Sequence, residues 1–206
     1  MKQKITTKKI VMTALLAALT VVGSMLRIKV PSIVGTSAFH LGNIMCALSG
    51  LLLGPWFGGL AAGLGSAIYD MMDPVYISEC WITFIMKGAY GLVVGLIAWS
   101  GKKPWNTTVK IAGSGKNPWN TTVKMFYPKA LVAAIAGALT YAVLYLSKTF
   151  FYGGLLVKGL TPDAAFVATL EKIAPTTFNA VVAVIAAPLL AVAISKALEA
   201  ARIKLN

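Results

Sequence analysis

The sequence predicts an all-α membrane protein, a six-transmembrane-helix bundle forming one integral domain over residues 1–206, with both termini in the cytoplasm. Three observations carry this expectation. Apolar residues make up 58% of the chain and charged residues only 12%, against about 25% charged in a soluble domain, so a polar coat cannot be assembled. The apolar residues gather into runs approaching the roughly 20 that a helix needs to cross the hydrocarbon. The basic residues sit in the gaps between those runs, where the positive-inside rule places them. The formal charge of +13 therefore marks membrane topology and not nucleic-acid binding. The mean hydropathy of +0.78 agrees.

The first span is read at 9–26, behind Lys2, Lys4, Lys8 and Lys9; it is long enough to stay as a span and lacks a cleavable signal pattern. The second and third, 38–54 and 57–72, are short and joined only by Pro55 and Trp56. They read as two tilted spans, with one re-entrant hairpin as the alternative. The fourth is read at 81–100, the fifth at 128–151 and the sixth at 173–198. Cys46 and Cys80 read as two separate small residues rather than a disulfide.

Charge sets the direction. With the N-terminus inside, the cytoplasmic segments hold thirteen of the nineteen basic residues, from Lys2 through Lys129 to Lys204. Five of the six acidic residues, Asp70, Asp73, Glu79, Asp163 and Glu171, fall on the outer side. The one long cytoplasmic connection is the basic loop 101–127. It repeats Pro104-Trp-Asn-Thr-Thr-Val-Lys110 as Pro118-Trp-Asn-Thr-Thr-Val-Lys124. Two copies are too few for a solenoid, and the loop reads as interfacial, with Trp105 and Trp119 at headgroup depth. Gly113-Ser-Gly-Lys116 resembles a fragment of a phosphate-binding loop, but Lys110 and Asn117 stand where glycine and Ser/Thr are needed, so a nucleotide site is rejected.

Within the spans, Gly50, Gly54, Gly58, Gly59, Gly63 and Gly65 recur at spacings that let helix backbones approach closely in lipid. Ala14, Ala17 and Ala18 form a smooth patch on the first span, suited either to packing inside this chain or to docking a separate membrane subunit. Polar residues in spans cost free energy unless satisfied and default to functional candidates. They are His40 and Asn43 at the start of the second span, Asp70 at the end of the third, Tyr76, Glu79 and Trp81 leading into the fourth, Lys87 within it, and Asn179 in the sixth. The assigned topology brings all of them to the outer face. Each also has a bland reading: His40 as a cap, Asn43 as a backbone partner, Lys87 in an ion pair with Asp70 or Glu79, Tyr76 and Trp81 as belt aromatics. Together they offer donors, acceptors and aromatic faces to a small polar solute. No catalytic constellation, metal-ligand spacing or cofactor motif is visible. A stand-alone channel or secondary carrier is the competing class, but the inverted repeats and broken helices of secondary carriers are missing.

On these residues the chain resembles the substrate-binding S components of energy-coupling factor (ECF) vitamin transporters. The likeness lies in Ala14-Leu-Leu-Ala-Ala18, in Phe39-His-Leu-Gly-Asn43 through Gly50-Leu-Leu-Leu-Gly-Pro55, in Gly58-Gly-Leu-Ala-Ala-Gly-Leu-Gly65, in Asp70, and in Thr83-Phe-Ile-Met-Lys87-Gly88. Residues 10–100 carry most of it, and 101–206 match in layout. The resemblance implies a vitamin pocket near the outer surface, with the alanine patch docked on a membrane coupling subunit. It also implies two separate cytoplasmic ATPases that power inward release. The duplicated 101–127 loop is longer than the family pattern. Lys87 and Arg27 suit a carboxylate such as pantothenate, while Asp70, Glu79 and the aromatics suit a pyridoxine, pyrimidine or flavin ring; a corrinoid stays open.

Overall fold

The computed structural model describes residues 7–33, 36–100 and 118–200. Helix α1 spans Thr7–Met25 and leads into an antiparallel hairpin, β1 Arg27–Pro31 with β2 Thr36–His40. Helices α2 (Gly42–Leu53) and α3 (Pro55–Met72) follow, then a 3-10 turn at Ile77–Glu79 and α4 (Cys80–Ala98). Helix α5 (Pro118–Lys148) runs into a π-helical segment, Thr149–Val157, and a short α6 (Pro162–Leu170) precedes α7 (Ile173–Ala200). The expectation of a wholly helical chain is corrected by the hairpin. Arg27-Ile-Lys-Val-Pro31 alternates polar and apolar residues with period two, the signature of a strand, and pairs in register from Arg27↔His40 to Pro31↔Thr36.

Among the described residues, four helical stretches are long and apolar enough to cross a bilayer: Thr7–Met25, Ile77–Ala98, Tyr127–Val157 and Pro162–Ser195. The chain is thus a mostly helical, multi-pass membrane protein. Helix α2 behaves differently. The expected span 38–54 loses its first residues to β2, and the 12 residues that remain cover about 18 Å at 1.5 Å each. Every α2 residue except Met45 is buried, including the polar Asn43 and Ser49. It runs through the middle of the bundle, packed on α1, α3, α4 and α7.

Glycine makes this possible. Gly54 ends α2 with φ of 80°, a left-handed conformation that glycine adopts without strain; its N–H returns to Gly50 O at 3.1 Å, and Pro55 starts α3 at once. A Cβ on Gly58 would lie 2.6 Å from Gly50 Cα, so α3 and α2 touch backbone to backbone there. At the same end of α2 the Trp99 indole donates to Leu51 O at 3.0 Å.

The fifth expected helix, 128–151, starts earlier and ends in the π-helical segment. Part of the expected loop 101–127 is therefore helical from Pro118, while residues 101–117, with the first copy of the duplicated motif and the Gly-Ser-Gly-Lys116 stretch, lie outside the described residues. So do Lys2, Lys4, Arg202 and Lys204, on which much of the orientation argument rests. Cys46 and Cys80 are both free, Cys46 fully buried with Sγ 3.6 Å from Ser66 Oγ.

Candidate functional site

One cavity of about 180 Å³ opens at the end of the bundle where α1, α3 and the hairpin meet the starts of α4 and α7 and the end of α5. The hairpin forms one wall through Arg27, Thr36, Ser37, Ala38 and His40. Ser66 and Asp70 of α3, Thr83, Met86 and Lys87 of α4, Tyr141 and Tyr145 of α5, and Thr176 and Asn179 of α7 line the rest.

Each wall is tied in place. Asn179 holds the hairpin with both ends of its amide: Oδ1 accepts the His40 N–H at 2.9 Å, and Nδ2 donates to Ala38 O at 2.8 Å. Phe39 packs edge-on against Phe178, centroids 5.1 Å apart. Lys172 donates to Thr36 O at 2.9 Å. Glu171 accepts from Ser32 Oγ at 2.8 Å and the Ile33 N–H at 2.9 Å. On the other edge Lys29 pairs with Asp73 at 2.7 Å, and the Tyr76 and Thr36 hydroxyls share a hydrogen bond. Burial alone would raise the Asp73 carboxyl, but the Lys29 ammonium and the Val75 N–H hold it below the ordinary carboxylate range, and Lys29 is raised in return.

The floor is aromatic and cationic. Tyr90, Tyr141 and Tyr145 stack in sequence, with centroids 5.9 and 5.7 Å apart and planes 20° off parallel in both pairs. Lys87 sits 3.7 Å above the Tyr141 ring and donates to Asn43 Oδ1 of α2. Arg27 lies 3.8 Å over Tyr69 and donates to Ser24 O. His40 accepts the Gly42 N–H on Nδ1. Burial first, then the Lys87 and Arg27 charges, lower its pKa well below the usual imidazole value, so His40 is neutral.

Of the residues singled out by sequence, His40, Asp70, Tyr76, Glu79, Lys87 and Asn179 line this one cavity. Asn43 stands behind it as the partner of Lys87. Two expectations are corrected. Trp81 is 57% exposed and does not line the cavity, because it sits on the outward side of α4's first turn. His40 does not open α2; it is the last residue of β2. Of the two readings open for Lys87, the ion pair is absent among the described residues: its contacts are Asn43 and Tyr141, and Glu79 pairs with Lys148. Sequence reasoning missed Tyr141, Tyr145 and Lys172. The i, i+4 spacing of the two tyrosines places them on one helical face and was readable; Lys172 looked like an ordinary loop residue until the chain folded it to 2% exposure.

The alanine patch divides. Ala14 and Ala18 face outward, whereas Ala17 is buried, with its carbonyl against Gly65 of α3.

Helices of membrane-crossing length thus surround a polar, aromatic-floored cavity at one end, and no metal-binding cluster of His, Cys, Asp or Glu occurs among the described residues. Residues 4–196 match the family described as ECF-type riboflavin transporter, S component, and the chain belongs to that family. That family is one of transporter subunits. Among individual relatives, an "Uncharacterized protein in gap 3'region" of Pyrococcus woesei is 40% identical over 38% of this chain and 50% of its own length. A UPF0397 protein of Streptococcus gordonii is 35% identical over 45% of this chain and 47% of its own. One from Streptococcus pneumoniae is 36% identical over 47% and 50%. The chain thus spans about half the length of the curated relatives it matches. No solved structure matches it.

Proposed function

We propose that this chain is the substrate-binding S component of an ATP-driven ECF-type importer in a prokaryotic plasma membrane, taking up a water-soluble vitamin or related micronutrient. The observation that carries the reading is the cavity itself. Polar and aromatic side chains from the hairpin and five helices converge on one end of an otherwise apolar bundle, an arrangement that is costly in a membrane unless a ligand or partner uses it.

In this reading six elements, α1, α2, α3, α4, α5 and α7, build the membrane domain. Both termini face the cytoplasm and the cavity faces outward, in keeping with the basic inner segments and the acidic outer ones. His40, Asp70, Tyr76, Glu79, Lys87 and Asn179 contact the substrate and Asn43 orients Lys87. Ala14 and Ala18 dock on the membrane coupling subunit, and two partner ATPases supply the energy. The family match over residues 4–196 supports this division of labour.

Reconstitution tests it. Proteoliposomes holding the chain with its coupling subunit and ATPases should take up substrate only with ATP, and the chain alone should bind without transporting. Sustained uptake by the chain alone would make it a stand-alone channel or carrier.

A further inference from the structure

Arg27 lines the cavity as the first residue of β1, paired in register with His40. It is half-buried, and the fold immobilises it. Its Nε donates to Ser24 O of α1 at 2.8 Å. Its guanidinium lies 3.8 Å from the centre of the Tyr69 ring and 5.3 Å from that of Tyr76. Both rings are themselves held. The Tyr69 hydroxyl donates to Asp73 at 3.3 Å, and the Tyr76 hydroxyl shares its hydrogen bond with Thr36.

A guanidinium carries five N–H donors in a rigid planar fork. Nε uses one of them. The other four meet no hydrogen-bond acceptor among the described residues, where the salt bridges are Lys29–Asp73 and Lys148–Glu79. Asp70 shares the wall and is therefore not an ion-pair partner of Arg27. The aromatic contacts occupy the face of the group and leave its outer edge free. A clasp between the hairpin and α3 needs only a cation over a ring, and a lysine would serve. What an arginine adds is the fork, which is already fixed in place and so loses little freedom when it binds.

We propose that Arg27 is a specificity-determining residue of this cavity, whose free Nη donors bind a ring carbonyl of the substrate together with the ring nitrogen beside it. Arginine reads the same acceptor pair on guanine, and the stacked Tyr141 and Tyr145 on the cavity lining suit a flat heteroaromatic ligand. The inference rests on the solute-binding reading above and deepens it.

Riboflavin, named in the family description, is the probe, beside 1-deazariboflavin and 5-deazariboflavin, which each replace one such ring nitrogen by C–H. Calorimetry on the full chain in nanodiscs should find one of the two analogues about tenfold weaker than riboflavin. Arg27→Lys keeps a cation over Tyr69 and should leave the unliganded melting temperature within a few degrees. It should nevertheless bind riboflavin as weakly as the wild type binds that analogue, and no longer tell the two apart. Arg27→Met should lose the same discrimination. Equal wild-type binding of all three flavins, or discrimination that survives in Arg27→Lys, overturns the role of Arg27. Riboflavin that fails to bind, while native mass spectrometry finds another small molecule co-purifying, overturns it too and leaves the solute-binding reading standing. A chain that carries no small molecule and responds to no probe overturns both.

Discussion

Asn179 of α7 accepts the His40 N–H at 2.9 Å while its amide nitrogen donates to Ala38 O at 2.8 Å. One side chain thus satisfies two backbone groups of a strand that would otherwise end unpaired beside the cavity. The hairpin is a wall because α7 holds it, and loss of the amide should loosen the wall before it unfolds the bundle. Asn179→Leu is expected to weaken substrate binding at least tenfold, on the scale of about 1–3 kcal/mol for leaving buried groups unsatisfied. Hydrogen exchange at Ala38 and His40 should accelerate, with α2 and α4 unchanged.

Lys87 depends on Asn43 in a similar way. Asn43→Leu strips a buried ammonium of its one side-chain acceptor and should destabilise the protein by about 3–5 kcal/mol, the range for a buried charge left uncompensated. The double variant Asn43→Leu with Lys87→Met should recover most of that loss without recovering binding. Melting curves and a binding isotherm on the three proteins check this.

His40 predicts a pH response. Its folded pKa is lowered, so between that value and the ordinary imidazole value near 6.5 the unfolded chain binds a proton that the folded chain refuses. Stability therefore falls as pH drops below about 6.5 and is flat above it as far as this group is concerned. Protonation would also remove the acceptor that Nδ1 offers to Gly42. Melting temperature measured from pH 7.5 to 5 should show the slope, and His40→Gln should flatten it.

The central contact of α2 with α3 leaves no room at Gly58, where a Cβ would come within 2.6 Å of Gly50 Cα and of Ser49 O. Gly58→Ala should cost about 1–3 kcal/mol from overpacking. Gly88→Ala is the control, since its nearest such contact is an ordinary 3.6 Å, and it should be neutral.

The two exposures within the alanine patch separate docking from folding. Ala14→Leu and Ala18→Leu change an outward surface and should block co-purification with the coupling subunit while leaving substrate affinity intact. Ala17→Leu enters the α1–α3 contact and should lower the melting temperature instead.

The membrane class and most helix positions were legible because apolar run length and basic gaps report directly on lipid. The cavity residues were largely legible too, since polar groups in apolar spans are few. What stayed hidden depended on tertiary placement. Residues 27–31 form a strand and 36–40 its return, and the apolar Ala38 and Phe39 blended into the run that becomes α2. Thr161-Pro162-Asp163 is a readable helix start, with Thr161 accepting from Ala164 N, yet the helix is only 9 residues long and disappears beside its longer neighbours. Sequence left Lys87 open between an ion pair and a solute contact, because it counts nearby carboxylates but cannot see that Lys148 reaches Glu79 from another helix.

The most direct test of the account is native mass spectrometry of the full chain purified in lipid, compared with Lys87→Gln. The account predicts one small molecule per wild-type chain and a largely empty variant with the same fold. A wild-type chain that is always empty, and whose melting temperature no water-soluble vitamin or precursor raises, would contradict it.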